Sequence, residues 1–150
     1  MLYIASDHAG FKLKEELDDY LESLGQKIED LGPYDFDLQD DFPDFALAVA
    51  KKVISEEDGI GILVCGTAQG MCLAANKVKG IRAVFAFDEF TARHAKENDD
   101  ANILCLGAQI IDPEAAKKIV KIWLETPFSG EERHIRRSKK IEEIEKSYNL

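Results

Sequence analysis

Short apolar runs alternate with helical patterns along the whole chain. Five of these runs have the length of buried strands: residues 2–5, 28–31, 60–64, 82–87 and 103–106. Strands that alternate with helices favour parallel pairing, because each helix carries the chain back across the sheet. The pattern predicts one α/β domain, a three-layer sandwich in which a five-stranded parallel sheet has helices on both faces.

Capping residues indicate where the helices begin and end. Gly25 follows leucines at helical spacing and is typical of a helix C-terminus. Asp88 has the character of an N-cap, and Asp112-Pro113 is a strong helix start. Four helices are predicted to span about 13–24, 44–55, 113–126 and 131–147, and two more are predicted to begin near residues 69 and 89.

Composition limits the classes of partner. The 150 residues are 45% hydrophobic, enough for one well-packed domain. A formal charge of −10 disfavours nucleic acid and anionic membranes as partners. No apolar segment approaches the roughly 20 residues that span a bilayer, and no secretory leader is recognisable, so we expect a soluble cytoplasmic protein. Cys65, Cys72 and Cys105 show neither a disulfide framework nor metal-ligand spacing.

Three segments follow predicted strands and lead into helical or turn patterns. They are Ser6-Asp7-His8, residues 65–70, and Gly107-Ala108-Gln109. In parallel α/β sheets, ligands bind at the carboxyl ends of the strands. These segments are therefore the candidate site.

Cys65 ends an apolar run and precedes a small-residue loop, residues 66–70, which we call the cradle. A helix N-terminus would favour a reactive thiolate here, whereas burial would favour an inert packing residue, and the spacing leaves both open. The cradle suits an oxyanion or a phosphate because small residues expose backbone N–H groups. It lacks the lysine of a Walker loop and the arginine of a thiol phosphatase.

Four polar side chains also have two interpretations each. Asp7 is either a helix N-cap or a ligand-binding carboxylate, and His8 is either a surface residue or an anion-binding or acid/base group. Arg133 and Arg137 are four apart and so share one helix face. They are either a phosphate clamp or a solvated basic face.

Several segments together resemble one known family, that of ribose-5-phosphate isomerase B and galactose-6-phosphate isomerase. The resemblance runs in order over almost the whole chain, through residues 6–14, 41–44, 65–67, 74–77, 102–104, 133–134 and 137. It implies a flavodoxin-like, or Rossmann-like, fold. It also implies a homodimer or tetramer whose active sites are each built from two subunits, with the C-terminal helix at the interface.

The resemblance also implies the chemistry, an aldose–ketose isomerisation of a phosphorylated sugar through an enediolate. Cys65 would be the base, and Thr67 with the N–H groups from Gly66 to Gly70 would stabilise the enediolate oxygen. The phosphate would be held by His8, Arg133 and Arg137, and Asp7 would bind sugar hydroxyls. No metal or organic cofactor is expected.

The chain departs from the family pattern at named positions. Asn98-Asp99 stands where the family usually has His-Asn, the histidine being its ring-opening acid/base, and Gln109 stands where a phosphate-binding arginine is usual. In the family the histidine and the arginine both reach into the partner subunit's site, and Asn98 and Asp99 are predicted to be substrate-binding residues. The other departures are Ala68-Gln69 in place of Gly-Ile and Phe42 in place of tyrosine.

Three hypotheses follow from the departures at Asn98 and Gln109. The substrate is a sugar phosphate that needs no ring opening, or a paralogous subunit supplies the missing groups, or the chain only binds a sugar phosphate. His94, one turn before Asn98, is a candidate replacement imidazole. Outside the family, the alternative is a receiver-like or nucleotide-binding module that uses the acidic loop 35–41 to hold a divalent cation.

Overall fold

The computed structural model describes residues 1–148, in which strands and helices alternate in the predicted order. The strands are β1 (Leu2–Ser6), β2 (Ile28–Asp30), β3 (Ile60–Cys65), β4 (Ala83–Phe85) and β5 (Ile103–Gly107). The helices are α1 (Phe11–Ser23), α2 (Phe42–Ile54), α3 (Gln69–Ala75), α4 (Glu89–Asp99), α5 (Pro113–Glu125) and α6 (Glu132–Tyr148). The predicted α/β class is confirmed.

All strand pairs are parallel, in the order β2-β1-β3-β5-β4. The last two strands are exchanged relative to the flavodoxin order 2-1-3-4-5. Consequently β5 pairs with β3, with Cys65 opposite Gly107, and β4 forms the edge. The carboxyl ends of β1, β3 and β5 therefore lie side by side, which positions the candidate site.

Two hydrophobic clusters cover the two faces of the sheet. One packs residues of α1, α4 and α5 against the sheet, including the fully buried Leu17 and Trp123. The other packs α2 and α3 against the opposite face, including Val49 and Met71. This arrangement confirms the predicted three-layer sandwich, because each face of a parallel sheet must be covered.

The predicted caps are present. Gly25 has φ 76°, and the Gln26 N–H donates to the carbonyl of Leu21, as in a Schellman C-cap. Side chains of Asp88 and Asp112 accept hydrogen bonds from the first turns of α4 and α5. Two helices begin two residues earlier than predicted: α1 at Phe11 and α2 at Phe42, where Pro43 is favourable inside the first turn.

None of the helices described within residues 1–148 combines the length and the apolar character that crossing a bilayer requires.

Candidate active site

Backbone hydrogen bonds join the three candidate segments at the carboxyl edge of the sheet. The Asp7 N–H donates to the Val64 carbonyl at 3.2 Å, and the Ala108 N–H donates to the Cys65 carbonyl at 2.8 Å. The Gln109 N–H donates to the Gly66 carbonyl at 2.9 Å. The segments that sequence reasoning selected therefore form one continuous surface.

Close backbone packing holds the first segment against β3. A Cβ atom on Gly10 would lie 2.3 Å from the Val64 carbonyl oxygen, a distance that no side chain tolerates. The absence of a side chain at this position lets the turn after β1 reach the end of β3. Asp7 is thereby brought beside Cys65, and His8 follows it at the same edge of the sheet.

Cys65 is the last residue of β3 and is only 5% exposed. Its Sγ accepts a hydrogen bond from the Ala68 N–H at 3.1 Å. Burial raises the pKa of the thiol, while backbone N–H groups at Met71, Ala68 and Thr67 act to lower it and the charge of Asp7 raises it further. The sequence did not decide between a reactive thiolate and an inert buried thiol. In the resting protein the effect of burial on the pKa of Cys65 is larger than that of the backbone N–H groups at the start of α3.

The cradle is shaped by a strained residue and two overlying side chains. Ala68 is fully buried with φ 70°, a left-handed conformation that glycine adopts more readily. A Cβ on Gly70 would lie 2.7 Å from the Phe42 ring, and one on Gly66 would lie 3.2 Å from the Gln109 amide carbon. Phe42 and Gln109 thus border the cradle of their own chain. Sequence spacing did not predict this position for either residue.

Asp7 has the geometry of the predicted capping residue. Its Oδ1 accepts a hydrogen bond from the Gly10 N–H at 3.0 Å, at the entry to α1. The side chain is buried, and this burial raises the pKa of the carboxyl despite the N–H groups of Gly10 and Ala9 and the neighbouring His8. The carboxyl therefore combines a structural bond with a position beside Cys65.

His8 contacts an acid that sequence reasoning did not place in the site. Its Nδ1 lies 2.7 Å from Oδ1 of Asp40, and its backbone N–H donates to the same oxygen at 3.1 Å. The hydrogen bond to Asp40 raises the pKa of His8, and partial desolvation opposes that rise. Because 32 residues separate the pair, no local spacing pattern identified it.

The remaining predicted residues lie near the end of α4 and the start of α6. The Asn98 Nδ2 is 3.2 Å from the His94 Nε2, and Asp99 is 3.7 Å from the His94 Nδ1. The next residue, Asp100, pairs with Arg82, which immediately precedes β4. The end of α4 is therefore at the amino edge of the sheet, opposite the Cys65 edge.

The two predicted clamp arginines share this location. The Ser129 N–H, just before α6, donates to the carbonyl of Glu97, and the Arg133 Nε pairs with Glu131. Arg133 and Arg137 are both exposed. Within residues 1–148 no hydrogen bond or ion pair connects either arginine, or Asn98 or Asp99, to the segments around Cys65 and His8.

The comparisons with known proteins identify the family. The family model described as Ribose/Galactose Isomerase matches residues 2–141 of the chain. The chain belongs to this family. The predicted resemblance is therefore confirmed, and with it the predicted class of enzyme, an aldose–ketose isomerase.

Similar members of the ribose/galactose isomerase family span almost the whole chain. A probable ribose-5-phosphate isomerase B of Mycoplasma pneumoniae is 44% identical over 140 residues, 93% of this chain and 91% of that protein. A D-erythrulose-4-phosphate isomerase of Pectobacterium atrosepticum is 38% identical over 130 residues, which are 85% of this chain and 84% of that protein. The structure of ribose-5-phosphate isomerase B from Mycoplasma genitalium with bound ribulose-5-phosphate is 45% identical and has a TM-score of 0.93. The match covers 97% of this chain and 95% of that chain.

Membership of the ribose/galactose isomerase family overturns the receiver-like alternative. In residues 1–148, no group of three or more His, Cys, Asp and Glu side chains is placed to hold a metal ion. The acidic loop instead contributes Asp40 to His8.

Proposed function

We propose that the chain interconverts an aldose phosphate and a ketose phosphate, ribose 5-phosphate and ribulose 5-phosphate or a related pair, through an enediolate. The observation that carries this proposal is the position of the Cys65 Sγ. It lies at the carboxyl end of β3, accepts the Ala68 N–H, and adjoins Asp7 and the cradle. The bound ribulose-5-phosphate of the Mycoplasma genitalium relative supports a phosphorylated sugar as the substrate.

Cys65 is proposed as the base that moves the proton. Its thiolate takes a proton from the hydroxyl-bearing carbon next to the carbonyl, and the electron pair passes to the carbonyl oxygen as the enediolate forms. The hydroxyl proton then passes to the former carbonyl oxygen, the thiol returns its proton to the former carbonyl carbon, and the neighbouring carbon becomes the new carbonyl. Thr67 and the backbone N–H groups of the cradle would stabilise the enediolate oxygen, and Asp7 would bind sugar hydroxyls.

The phosphate site is proposed to combine two copies of the chain. His8 belongs to the Cys65 edge, whereas Arg133 and Arg137 are exposed on α6, whose start is tied to the opposite end of α4. Arginines serve phosphate binding through forked, charge-assisted hydrogen bonds. We therefore assign the arginines to the site of a second copy, together with Asn98 and Asp99, rather than to the site of their own chain.

An apolar surface beside the site supports such a dimer. Leu73 is 66% exposed and Phe90 is 72% exposed, and both line cavities bordered by Phe85 on the edge strand β4. An edge strand has unpaired backbone N–H and C=O groups that can pair with another chain, so it is usually covered by other parts of the protein or by a partner. The exposed Ile141 and Ile144 of α6 support the same assignment for the C-terminal helix.

The Asn98 amide bears on the choice of sugar. An amide cannot take up and release a proton as an imidazole does, so ring opening would depend on His94 or on a substrate that is already open. His94 is close enough to Asn98 to replace it, and its ring also faces Asp99. A tetrose phosphate, too short to cyclise through its free hydroxyls, is the substrate that requires neither group.

The purified full chain should be incubated with ribose 5-phosphate, erythrose 4-phosphate and allose 6-phosphate, with ketose formation followed by NMR. We expect turnover that falls roughly 10²–10⁴-fold in Cys65→Ala. Equal turnover in that variant would remove Cys65 as the base. Binding of every sugar without turnover would favour a binding protein, and activity only after addition of a paralogous subunit would favour a hetero-oligomer.

We also propose a cytoplasmic location. Cys65, Cys72 and Cys105 are all unpaired thiols in the structure. Free cysteines are typical of a reducing compartment. Cell fractionation with an antibody to the full chain would test this assignment.

A further inference from the structure

We infer that Asp40 is a positioning residue for substrate binding: it fixes the His8 ring and keeps it charged, so that Nε2–H is presented to the phosphate of the sugar. This inference rests on the proposed function, because it concerns the same site. The family match and the sequence motifs assign no role to Asp40. Its own contacts carry the argument.

One carboxylate oxygen of Asp40 fixes both the backbone and the ring of His8. Oδ1 accepts the His8 backbone N–H at 3.1 Å and lies 2.7 Å from Nδ1. The ring edge is also packed against Phe36, with 6.4 Å between the centroids. Because Nδ1 is engaged, Nε2 is the ring nitrogen that remains for a ligand.

The burial of Asp40 favours a positive charge on His8. The Asp40 side chain is only 7% exposed, and its Oδ2 is buried without a hydrogen-bond partner among the described residues. A buried carboxylate is costly unless a cation compensates it. His8 is the cationic group in hydrogen-bond contact with this carboxylate, so the pair favours imidazolium over neutral imidazole.

The other charged groups that face His8 act in the same direction. They are the carboxylates of Asp7 and Asp37, on the turn after β1 and on the acidic loop. Together with the hydrogen bond to Asp40, they raise the pKa of His8 against its partial desolvation. A phosphate dianion therefore meets a charged donor over a wider pH range than an isolated histidine would provide.

The carboxylate does not cancel this attraction, because it contacts Nδ1 and so lies farther from a ligand at Nε2 than the imidazolium does, and His8 remains 32% exposed. The ligand reaches the ring, not the acid. Asp40 thus orients the His8 ring and favours its charged form. Removing the charge of Asp40 should therefore weaken phosphate binding without removing any atom that touches the sugar.

Asp40→Asn tests this, because an amide oxygen still accepts both hydrogen bonds but carries no charge. The pKa of His8 should be measured by NMR on the resting full-length protein. We expect it to fall relative to the wild type, because the amide carries no charge to stabilise the imidazolium. Asp35→Asn, an exposed acid of the same loop, is the matched control and should leave the pKa of His8 unchanged.

The second measurement is binding of inorganic phosphate by chemical-shift titration, in parallel with KM and kcat. Near pH 8, Asp40→Asn should weaken phosphate binding and raise KM roughly 10-fold, with most of the change in KM rather than kcat. Near pH 5.5 the two proteins should converge, because His8 is protonated in both. If Asp40→Asn does not fold, Asp40→Ser, which retains an acceptor, replaces it.

An unchanged His8 pKa in the variant would overturn the inference. So would a lowered pKa with unchanged phosphate affinity at pH 8. Neither measurement requires turnover, so both remain decisive if no sugar is isomerised. In that case the proposed function would fail while the role of Asp40 is judged separately.

Discussion

The amide N–H of Ser129 donates a hydrogen bond to the carbonyl oxygen of Glu97, 3.0 Å away. This bond ties the start of α6 to the last turn of α4. Arg133 and Arg137 therefore lie on the same side of the molecule as Asn98 and Asp99, and away from Cys65 of the same chain. This geometry supports the proposal that a second copy of the chain completes the phosphate site.

Two inactive variants should restore activity when mixed. Cys65→Ala lacks the base, and the double variant Arg133→Ala with Arg137→Ala lacks the clamp. Refolded together, half of the dimers are hybrids, and each hybrid holds one intact site built from both chains. We expect about a quarter of the wild-type activity, measured as ketose formation after co-refolding at equal concentrations.

The matched control is a mixture of Cys65→Ala with His8→Ala, because these residues belong to one edge of one chain. That mixture should stay inactive. If the arginine mixture also stays inactive, while the separate dimers and hybrids are shown to form, the assignment of the arginines to the second copy is wrong.

The raised pKa of Cys65 predicts an alkaline rise in its reactivity. A thiol whose pKa lies above its usual value of about 8.5 gains thiolate about tenfold per pH unit until the pH reaches that pKa. The rate of alkylation by iodoacetamide and kcat should both keep increasing from about pH 7 to about pH 9. The measurement needs a Cys72→Ser background, because Cys72 is partly exposed. A plateau below about pH 8 would indicate a depressed pKa instead.

Gly10 and Gly25 should differ sharply in their tolerance of alanine. Gly10→Ala places a methyl against the Val64 carbonyl at 2.3 Å, where backbone must move, and should lower the free energy of unfolding by more than about 3 kcal/mol. Gly25→Ala meets open space but has φ 76°, and should cost about 1 kcal/mol. Urea denaturation compares them, and equal losses would contradict the close packing of the turn after β1.

A charge on the apolar surface beside β4 should separate the subunits. Phe90 is 72% exposed, and Phe90→Asp would bury a carboxylate if that surface is an interface. We expect sedimentation to report a smaller species and turnover to fall with it. Leu24→Asp, which changes a 43% exposed leucine at the end of α1, is the control and should keep the wild-type assembly.

The folding pattern could be predicted because it is encoded locally. Apolar runs of strand length, Gly25, Asp88 and Asp112-Pro113 act within a few residues of where they stand, and the structure contains the predicted strands, helices and caps. The rule that ligands bind at the carboxyl ends of parallel strands then selected the segments at Asp7 and Cys65. Those segments are adjacent in the structure.

The tertiary structure decided the contacts between residues that are far apart in the sequence, and the pKa values that depend on burial. The pairing of His8 with Asp40 joins residues 32 apart, and the pKa of Cys65 depends on whether burial or nearby N–H groups dominate. The strand exchange that puts β4 at the edge is likewise a property of the packed sheet.

The sequence by itself therefore determined the element order, the α/β class, the family and the residues that reach the carboxyl edge. Only the folded chain decided which side chains share a site, because hydrogen-bond partners and desolvation depend on contacts between distant segments. The separation of Arg133 and Arg137 from Cys65 is such a case. Helical spacing put the arginines on one face, but the packing of α6 against α4 decided which edge of the molecule that face adjoins.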